Sequence, residues 1–186
     1  MPRLPLITLS LLLGWLAVGD ARERPFIDEP SLTRENVEEG APWQEGSHRL
    51  PAYPEDGDLV DFQVDAPTKG LRYFIDGKHL DIGADGVVRY ALVIKSASGA
   101  ANASFEGIRC DTWDVKIYAF GIGRGQWKAV DAPNWERIRR SGQYRHHLDL
   151  HDFYLCDTPA YKANGKDEIL RRMRSPLQRN ESDRTF

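Results

Sequence analysis

Cysteine is scarce in this chain: only Cys110 and Cys156 occur among its 186 residues. They are too far apart for the Cys-x-x-Cys spacing of thiol redox motifs, which is absent. Two cysteines without a regularly spaced set of histidines also fall short of a four-ligand zinc site. A structural disulfide between Cys110 and Cys156 is therefore the favoured interpretation, and free thiols or a metal or redox role are the alternatives.

The sequence also lacks an apolar run long enough for a transmembrane helix. Its apolar block, Leu4 to Val18, is about fifteen residues long, shorter than the roughly 20 that span a bilayer. A basic start precedes the block and small residues follow it, as in a secretory signal peptide cut after Gly19 or Ala21. A lipid anchor would need a cysteine where the chain has Asp20. We expect an exported, soluble, non-lipidated protein without stable membrane insertion; a retained short anchor is the alternative.

Export determines how the two cysteines are interpreted. Disulfides persist in oxidising compartments, and two cysteines permit one pairing with none left over. Closing the long loop between them removes conformational entropy from the unfolded chain, worth roughly 3–4 kcal/mol in a model-dependent estimate. The sequence therefore predicts a crosslink that stabilises the mature domain.

A strong excess of one charge is missing as well. The formal net charge is −3, with an excess of acidic residues near the N-terminus and of basic residues near the C-terminus. Neither segment carries charges of one sign alone, as a segment that binds nucleic acid or a membrane surface would. Five prolines among many charges in residues 22–58 disfavour regular structure. The predicted organisation is as follows: a signal peptide at 1–21, an extended acidic lead-in at 22–65, a folded domain at 66–175 and a disordered tail at 176–186.

Turn residues separate short apolar stretches in the predicted domain. Asp76-Gly77 and Asp85-Gly86 are typical hairpin turns, and no crossover helix separates the strands that follow. Helical patterns come late, over residues 131–142, 144–156 and 166–174. The fold prediction is α+β: an antiparallel sheet of about five strands with C-terminal helices packed on one face. Trp135 and Ile138 of the first predicted helix would face the sheet.

Histidines cluster in "HHLDLHDF". On a helix His147 and His151 lie one turn apart, a spacing that can bind a transition metal, and Asp152 or His48 would add a third ligand. No glutamate lies between the histidines, so a zincin-type hydrolase is not indicated. The competing interpretation is a polar helix face with partly buried histidines.

Motifs for covalent catalysis are absent. There is no Gly-x-Ser-x-Gly elbow, and Ser104 beside Glu106 has no histidine near it in sequence. Glu106 and Asp114 would form a carboxylate pair across two strands, although polar sheet-face residues explain them equally well. The prediction is that the protein is not an enzyme and has no cofactor.

Several segments together carry a family resemblance: "WQEG", "FIDGKHLDIGADGVVRYALVIKSASGAANASFEGIRC", "KIYAFG", "NWERI" and "HHLDLHDFYLC". Over roughly residues 43–173 the chain resembles the cryptic neisserial protein-like family of exported proteobacterial proteins. The resemblance implies periplasmic localisation and brings no assigned activity or catalytic residues. Members are often predicted lipoproteins, from which this chain departs at Asp20. The element order is also similar to that of protein E-type surface adhesins, at the level of fold alone.

Three functional hypotheses remain open at this point. The favoured one is a non-catalytic periplasmic domain that binds an unknown envelope protein or a small ligand, with no nucleic-acid partner. The second is a metal-binding protein that uses His147 and His151. The third is a hydrolase without a recognised motif.

Overall fold

The computed structural model describes residues 42–65, 67–123, 125–142 and 144–175. The predicted signal peptide and C-terminal tail lie outside the described residues, as do residues 22–41 of the predicted lead-in. Within the described ranges no helix is long and apolar enough to cross a bilayer.

The structure is built around one large antiparallel sheet. Its strands are β1 (Leu59–Phe62), β2 (Leu71–Asp76), β3 (Asp81–Ile82), β4 (Val87–Ser96), β5 (Ala101–Arg109), β6 (Asp114–Ile122), β7 (Gln126–Ala129) and β8 (Glu136–Arg137). The order is β1-β2-β4-β5-β6-β7, with β3 paired to β4 and β8 to β6. A separate ribbon joins β9 (Cys156–Asp157) to β10 (Lys162–Ala163). The predicted α+β fold with an antiparallel sheet is confirmed. Among the described residues the sheet has eight strands rather than about five, because β1, β3 and β8 are too short to show alternation.

The central strand β4 is buried on both faces. Val88 and Tyr90 point toward the helices and pack in the main core, as their alternation predicts. Val93, on the other face, packs in a second, smaller cluster. Asp85-Gly86 does form the turn that enters β4, and Gly86 has a φ of 79°, which glycine adopts without strain. Asp76-Gly77 does not form a hairpin, since β2 pairs with β1 and β4 instead of β3.

Helical segments cover one face of the sheet. Helix α1 (His146–Asp149) continues directly into a π-helical turn (Leu150–Leu155), and α2 (Lys166–Arg174) follows later. The residues that these segments bury in the main core include Leu150, Tyr154, Leu155, Ile169 and Met173. Tyr144, the first residue of the helix predicted over residues 144–156, precedes α1 and is 42% exposed.

The disulfide is confirmed. Cys110 follows β5, Cys156 begins β9, and their Cα atoms are 5.5 Å apart. Both cysteines are buried in the main core. The crosslink therefore joins the end of the helical layer to the middle of the sheet, as the sequence predicted.

Residues 42–53 cover the opposite face of the sheet. The Trp43 indole donates to the backbone oxygen of Asp85 over 2.9 Å. The indole of Trp127 donates to the backbone oxygen of Pro51 over 3.0 Å, and its ring lies 5.0 Å from that of Tyr53. The sheet therefore lies between a helical layer and a mostly extended segment of chain.

The helix predicted over residues 131–142 is wrong. Glu136 and Arg137 form β8, which extends the sheet beside Val115 and Asp114 of β6. Along an extended backbone, side chains alternate between the two faces of the sheet. Trp135 bonds to Glu45 on the side of residues 42–53, whereas Ile138 is buried in the core beneath the helices.

Candidate functional site

A buried carboxylate, Glu106, organises a polar network between the sheet and α1. Its Oε2 atom accepts from Tyr90 Oη over 3.0 Å and lies 2.9 Å from His147 Nε2. Its Oε1 atom accepts from Ser104 Oγ over 2.5 Å. All four side chains are buried. Register pairs Tyr90 with Glu106 across β4 and β5, and α1 places His147 above them.

The charge state of Glu106 follows from these contacts. Burial alone raises its pKa, but the interactions with His147, His146 and Ser104 together outweigh burial, so the pKa of Glu106 is lowered. Because the ionised carboxylate only accepts, His147 Nε2 donates to it. In a Ser–His–acid triad the histidine lies between nucleophile and acid. Here the acid lies between Ser104 and His147, so the network does not activate Ser104.

The proposed pairing of Glu106 with Asp114 is also absent from the structure. Glu106 lies opposite Ile117 across β5 and β6, whereas Asp114 lies opposite Arg109 at the far end of the same pair. The strand register therefore separates the two carboxylates, and they do not form an acid–base pair.

Asp149 adds a second buried carboxylate on α1. Its Oδ2 atom accepts from the backbone amide of Asp65 over 3.0 Å, and its Oδ1 atom is buried without a hydrogen bond. Burial raises the pKa of Asp149 to about 6, against the opposing effects of that amide and of Arg145. Arg145 Nε lies 3.9 Å from Asp149 Oδ1, and Arg145 also forms an ion pair with Asp65.

Asp149→Asn is expected to stabilise the protein by about 1–2 kcal/mol at pH 7.5. The unfolded Asp149 ionises near pH 4 and the folded one near pH 6, so ionisation costs stability as pH rises through that window. The advantage of the variant should vanish below pH 4. Urea unfolding between pH 4 and 8 measures it, with the exposed Asp131→Asn as control. An advantage independent of pH would contradict this assignment.

The two histidines predicted to bind metal have other partners. His147 contacts Glu106, whereas His151 Nδ1 lies 2.7 Å from Asp152 and its Nε2 lies 3.2 Å from the backbone oxygen of Cys110. His48 lies across the sheet, with its ring 4.1 Å from that of Tyr118. In the part of the chain that the structure describes, no group of three or more His, Cys, Asp or Glu side chains is placed to hold a metal ion. Metal binding by these histidines stays a prediction.

A cleft of about 630 Å³ opens on the opposite side of the molecule, between residues 46–51 and the turns at β3. Its polar lining consists of Ser47, His48, Arg49, His79, Asp81, Asp85 and Arg89. The volume is within the range of small-molecule sites in proteins.

An ion pair forms the floor of this cleft. The two terminal guanidinium nitrogens of Arg89 donate to Asp85. The distances are 3.1 Å from Nη1 to Oδ1 and 2.6 Å from Nη2 to Oδ2. Burial alone raises the pKa of Asp85, but the bonds from Arg89, Gly46 and Val87 outweigh it and lower the pKa to about 2. Both members of the pair are therefore ionised at any ordinary pH, and their charges cancel.

The same pair positions the chain that borders the cleft. Asp85 Oδ2 accepts from the backbone amide of Gly46 over 2.7 Å, which fixes one wall. A Cβ atom on Gly83 would collide with the Asp85 carboxylate and the Arg89 guanidinium, so any larger residue there would displace the ion pair.

Glu45 fixes the segment from the other side. Its carboxylate accepts from Lys116 Nζ over 2.7 Å, from Tyr118 Oη over 2.8 Å and from the Trp135 indole over 3.1 Å. Burial alone raises the pKa of Glu45, but these donors together lower it. These three donors therefore hold Glu45 in place. The cleft wall formed by residues 46–51, which follow Glu45 in the chain, is pre-formed.

An Asp–His pair lies at the opposite wall. Asp76 is fully buried, and its Oδ1 accepts from the backbone amides of Lys78 and His79 at 2.9 and 3.3 Å. Its Oδ2 lies 2.7 Å from His79 Nδ1. The imidazole is thereby fixed in the cleft with Nε2 on the ring edge away from Asp76. No hydrogen bond of Nε2 occurs within the described residues.

Apart from His48, the sequence patterns did not indicate the cleft residues as a site. Asp76 and Asp85 were recognised as turn residues, but not as partners of His79 and Arg89. One signal was available: Arg89 interrupts the apolar run of β4, and an arginine buried there requires a partner.

Comparison with known proteins identifies a family. A family model described as the CNP1-like family matches residues 38–174, in agreement with the resemblance inferred over roughly 43–173. No curated protein and no solved structure matches the chain. The family match includes both cysteines, the Glu106 network and the whole cleft. The chain belongs to the CNP1-like family.

Proposed function

We propose that this protein is exported to the periplasm, where its domain binds a small ligand in the cleft without catalysing a reaction. The observation that supports this most directly is the cleft itself, which has a suitable volume and walls held by Asp85 and Glu45. Pre-formed concave sites of this kind are typical of small-ligand binding.

A second concavity, of about 730 Å³, lies between β1 and α2 and is less suitable. Three of its four charged lining groups are already paired locally, Lys78 with Asp58 over 3.1 Å and Asp61 with Arg72 over 2.5 Å, which leaves Arg174. The cleft beside residues 46–51 instead offers His79 Nε2 and Arg49 without such pairing among the described contacts. This difference favours the cleft as the binding site.

The absence of catalysis is supported by the position of the groups that resemble catalytic ones. Ser104, Glu106 and His147 are at most 9% exposed and lie beneath the helices, on the other face of the sheet from the cleft. A substrate would not reach them without opening the core.

Export is tested by expressing the full chain in a bacterial host and fractionating the cells. We expect the periplasmic fraction to hold a protein cut after Gly19 or Ala21, with Cys110 and Cys156 crosslinked. The matched control replaces Leu11 and Leu12 by arginine, which interrupts the apolar block of the signal. Full-length wild-type protein in the cytoplasm with free thiols would contradict export.

Binding is tested by native mass spectrometry of the periplasmic protein and by thermal shift with small molecules of different charge. Ser47→Trp should fill the cleft and abolish saturable binding, whereas Ser98→Trp in the exposed β4–β5 turn should not. Recovery of the ligand unchanged supports a non-catalytic role. Conversion of the ligand, or binding unaffected by Ser47→Trp, would contradict the proposal.

A further inference from the structure

The charges of the cleft are unbalanced once its internal pair is set aside. Asp85 and Arg89 neutralise each other through two hydrogen bonds. Of the remaining lining residues, Arg49, His48 and His79 are cationic or become so on protonation, and Asp81 is the acidic one. The lining therefore has more positively charged or protonatable side chains than negatively charged ones, which favours a negatively charged ligand.

We infer that the cleft binds a small anion through carboxylate or phosphate oxygen atoms, with His79 and Arg49 as the two contacting side chains. This inference rests on the proposed binding function of the cleft. It adds the chemical class of the ligand and the residues that select it.

His79 is suited to this role by the way its ring is held. Asp76 is fully buried, engages Nδ1 over 2.7 Å and is itself fixed by two backbone amides. A ring bonded in this way keeps one orientation, as histidine ligands do when a carboxylate supports their second nitrogen. When the ring is doubly protonated, Nε2 donates to an oxyanion while Nδ1 still donates to Asp76. An anion in the cleft therefore selects that form of His79.

Arg49 supplies the second contact from the opposite wall. It lies on the segment that Glu45 and Asp85 hold in place, and its side chain is exposed. No ion pair of Arg49 occurs within the described ranges. A guanidinium presents parallel N–H groups that match two oxygens of a carboxylate or phosphate. A fixed imidazole and an exposed guanidinium across one cleft are a suitable pair for a small oxyanion.

Asp85 does not oppose such a ligand, because its negative charge is directed into Arg89 and the Gly46 amide. Asp81 lies at the start of β3 and is exposed, so its charge is screened by solvent. The acidic groups of the lining therefore limit the affinity of the cleft for anions, but the cleft still prefers anions to cations.

The test is a titration of the ¹⁵N-labelled, periplasmically purified chain followed by amide chemical shifts. The anionic probes are citrate and inorganic phosphate, with glycerol as neutral probe and putrescine as cationic probe. We expect saturable shifts at amides of residues 46–51 and 79–85 with an anion. Citrate alone would identify a carboxylate site, and phosphate alone a phosphate site. Arg49→Gln and His79→Gln should each raise the dissociation constant at least threefold.

The matched control is Lys128→Gln, which removes an exposed positive charge from β7, outside the cleft. It should change the dissociation constant less than twofold. A loss equal to that of Arg49→Gln would mean diffuse attraction and would overturn the inference. Glycerol or putrescine shifting the cleft amides while both anions fail would overturn the anion class but leave the cleft as a binding site. Failure of every probe there, with ligands bound elsewhere, would overturn the proposed function itself.

Discussion

Replacing both Cys110 and Cys156 by alanine in the exported chain is expected to lower the free energy of unfolding by about 3–4 kcal/mol. The two residues are 46 positions apart, so the crosslink restricts a long loop of the unfolded chain. The folded state also loses a covalent connection between the sheet and β9. Alanine suits these buried positions better than serine, which would place an unpaired hydroxyl in the core. Urea unfolding of the oxidised wild type and of the variant measures the difference.

Reductant supplies the control for this prediction. It should lower the unfolding midpoint of the wild type toward that of the variant, and leave the variant itself unchanged. Equal midpoints for the oxidised and reduced wild type would contradict a stabilising crosslink. Ready alkylation of both sulfurs in the native, non-reduced protein would show that the bond does not form.

The parts of the fold that the sequence predicted are those with strong local patterns. Strand β4 alternates clearly, and the Asp85-Gly86 turn marks its start. Helix α2 was predicted over the range in which it occurs, and it buries its apolar residues Ile169 and Met173. The disulfide followed from export and from there being one possible pairing. Each of these predictions needed information from one segment or from composition alone.

The error at residues 131–142 shows how tertiary contacts override local signals. Asp131, Pro133 and Gly142 resemble the cap, first turn and end of a helix. The segment instead places Trp135 against Glu45 and Ile138 in the main core, which lie on opposite sides of the sheet. A strand separates such neighbouring side chains better than a helix, and the edge of β6 supplies its hydrogen bonds.

The polar sites depended on contacts between distant segments. His147 and Glu106 are 41 residues apart and meet only because α1 packs over β5. The cleft brings residues 46–51 against the turns at 79 and 85. Sequence spacing predicted His147 and His151 as a pair on one helix, whereas the structure gives each a different partner. Side chains that meet across layers leave no spacing pattern in the sequence.

Replacement of Glu106 by leucine is expected to cost about 3–5 kcal/mol of stability, since it leaves several buried polar groups without their carboxylate acceptor. Three buried donors, from Tyr90, Ser104 and His147, lose their acceptor together. Each unsatisfied buried group carries the cost of its lost hydration. Glu106→Gln should cost less, since the amide keeps an oxygen acceptor in nearly the same place. Urea unfolding at pH 7 measures both variants.

A double-mutant cycle with His147→Leu determines whether the network acts as a unit. Glu106→Leu leaves His147 without its acceptor, and His147→Leu removes one donor from the buried carboxylate, whereas the double variant removes both members and leaves only the hydroxyls of Tyr90 and Ser104 to be accommodated. The loss in the double variant should therefore be smaller than the sum of the two single losses by at least about 1 kcal/mol. Additive losses would mean that Glu106 and His147 contribute independently. In that case the 2.9 Å contact between them would not explain why a charged glutamate is retained beneath the helices.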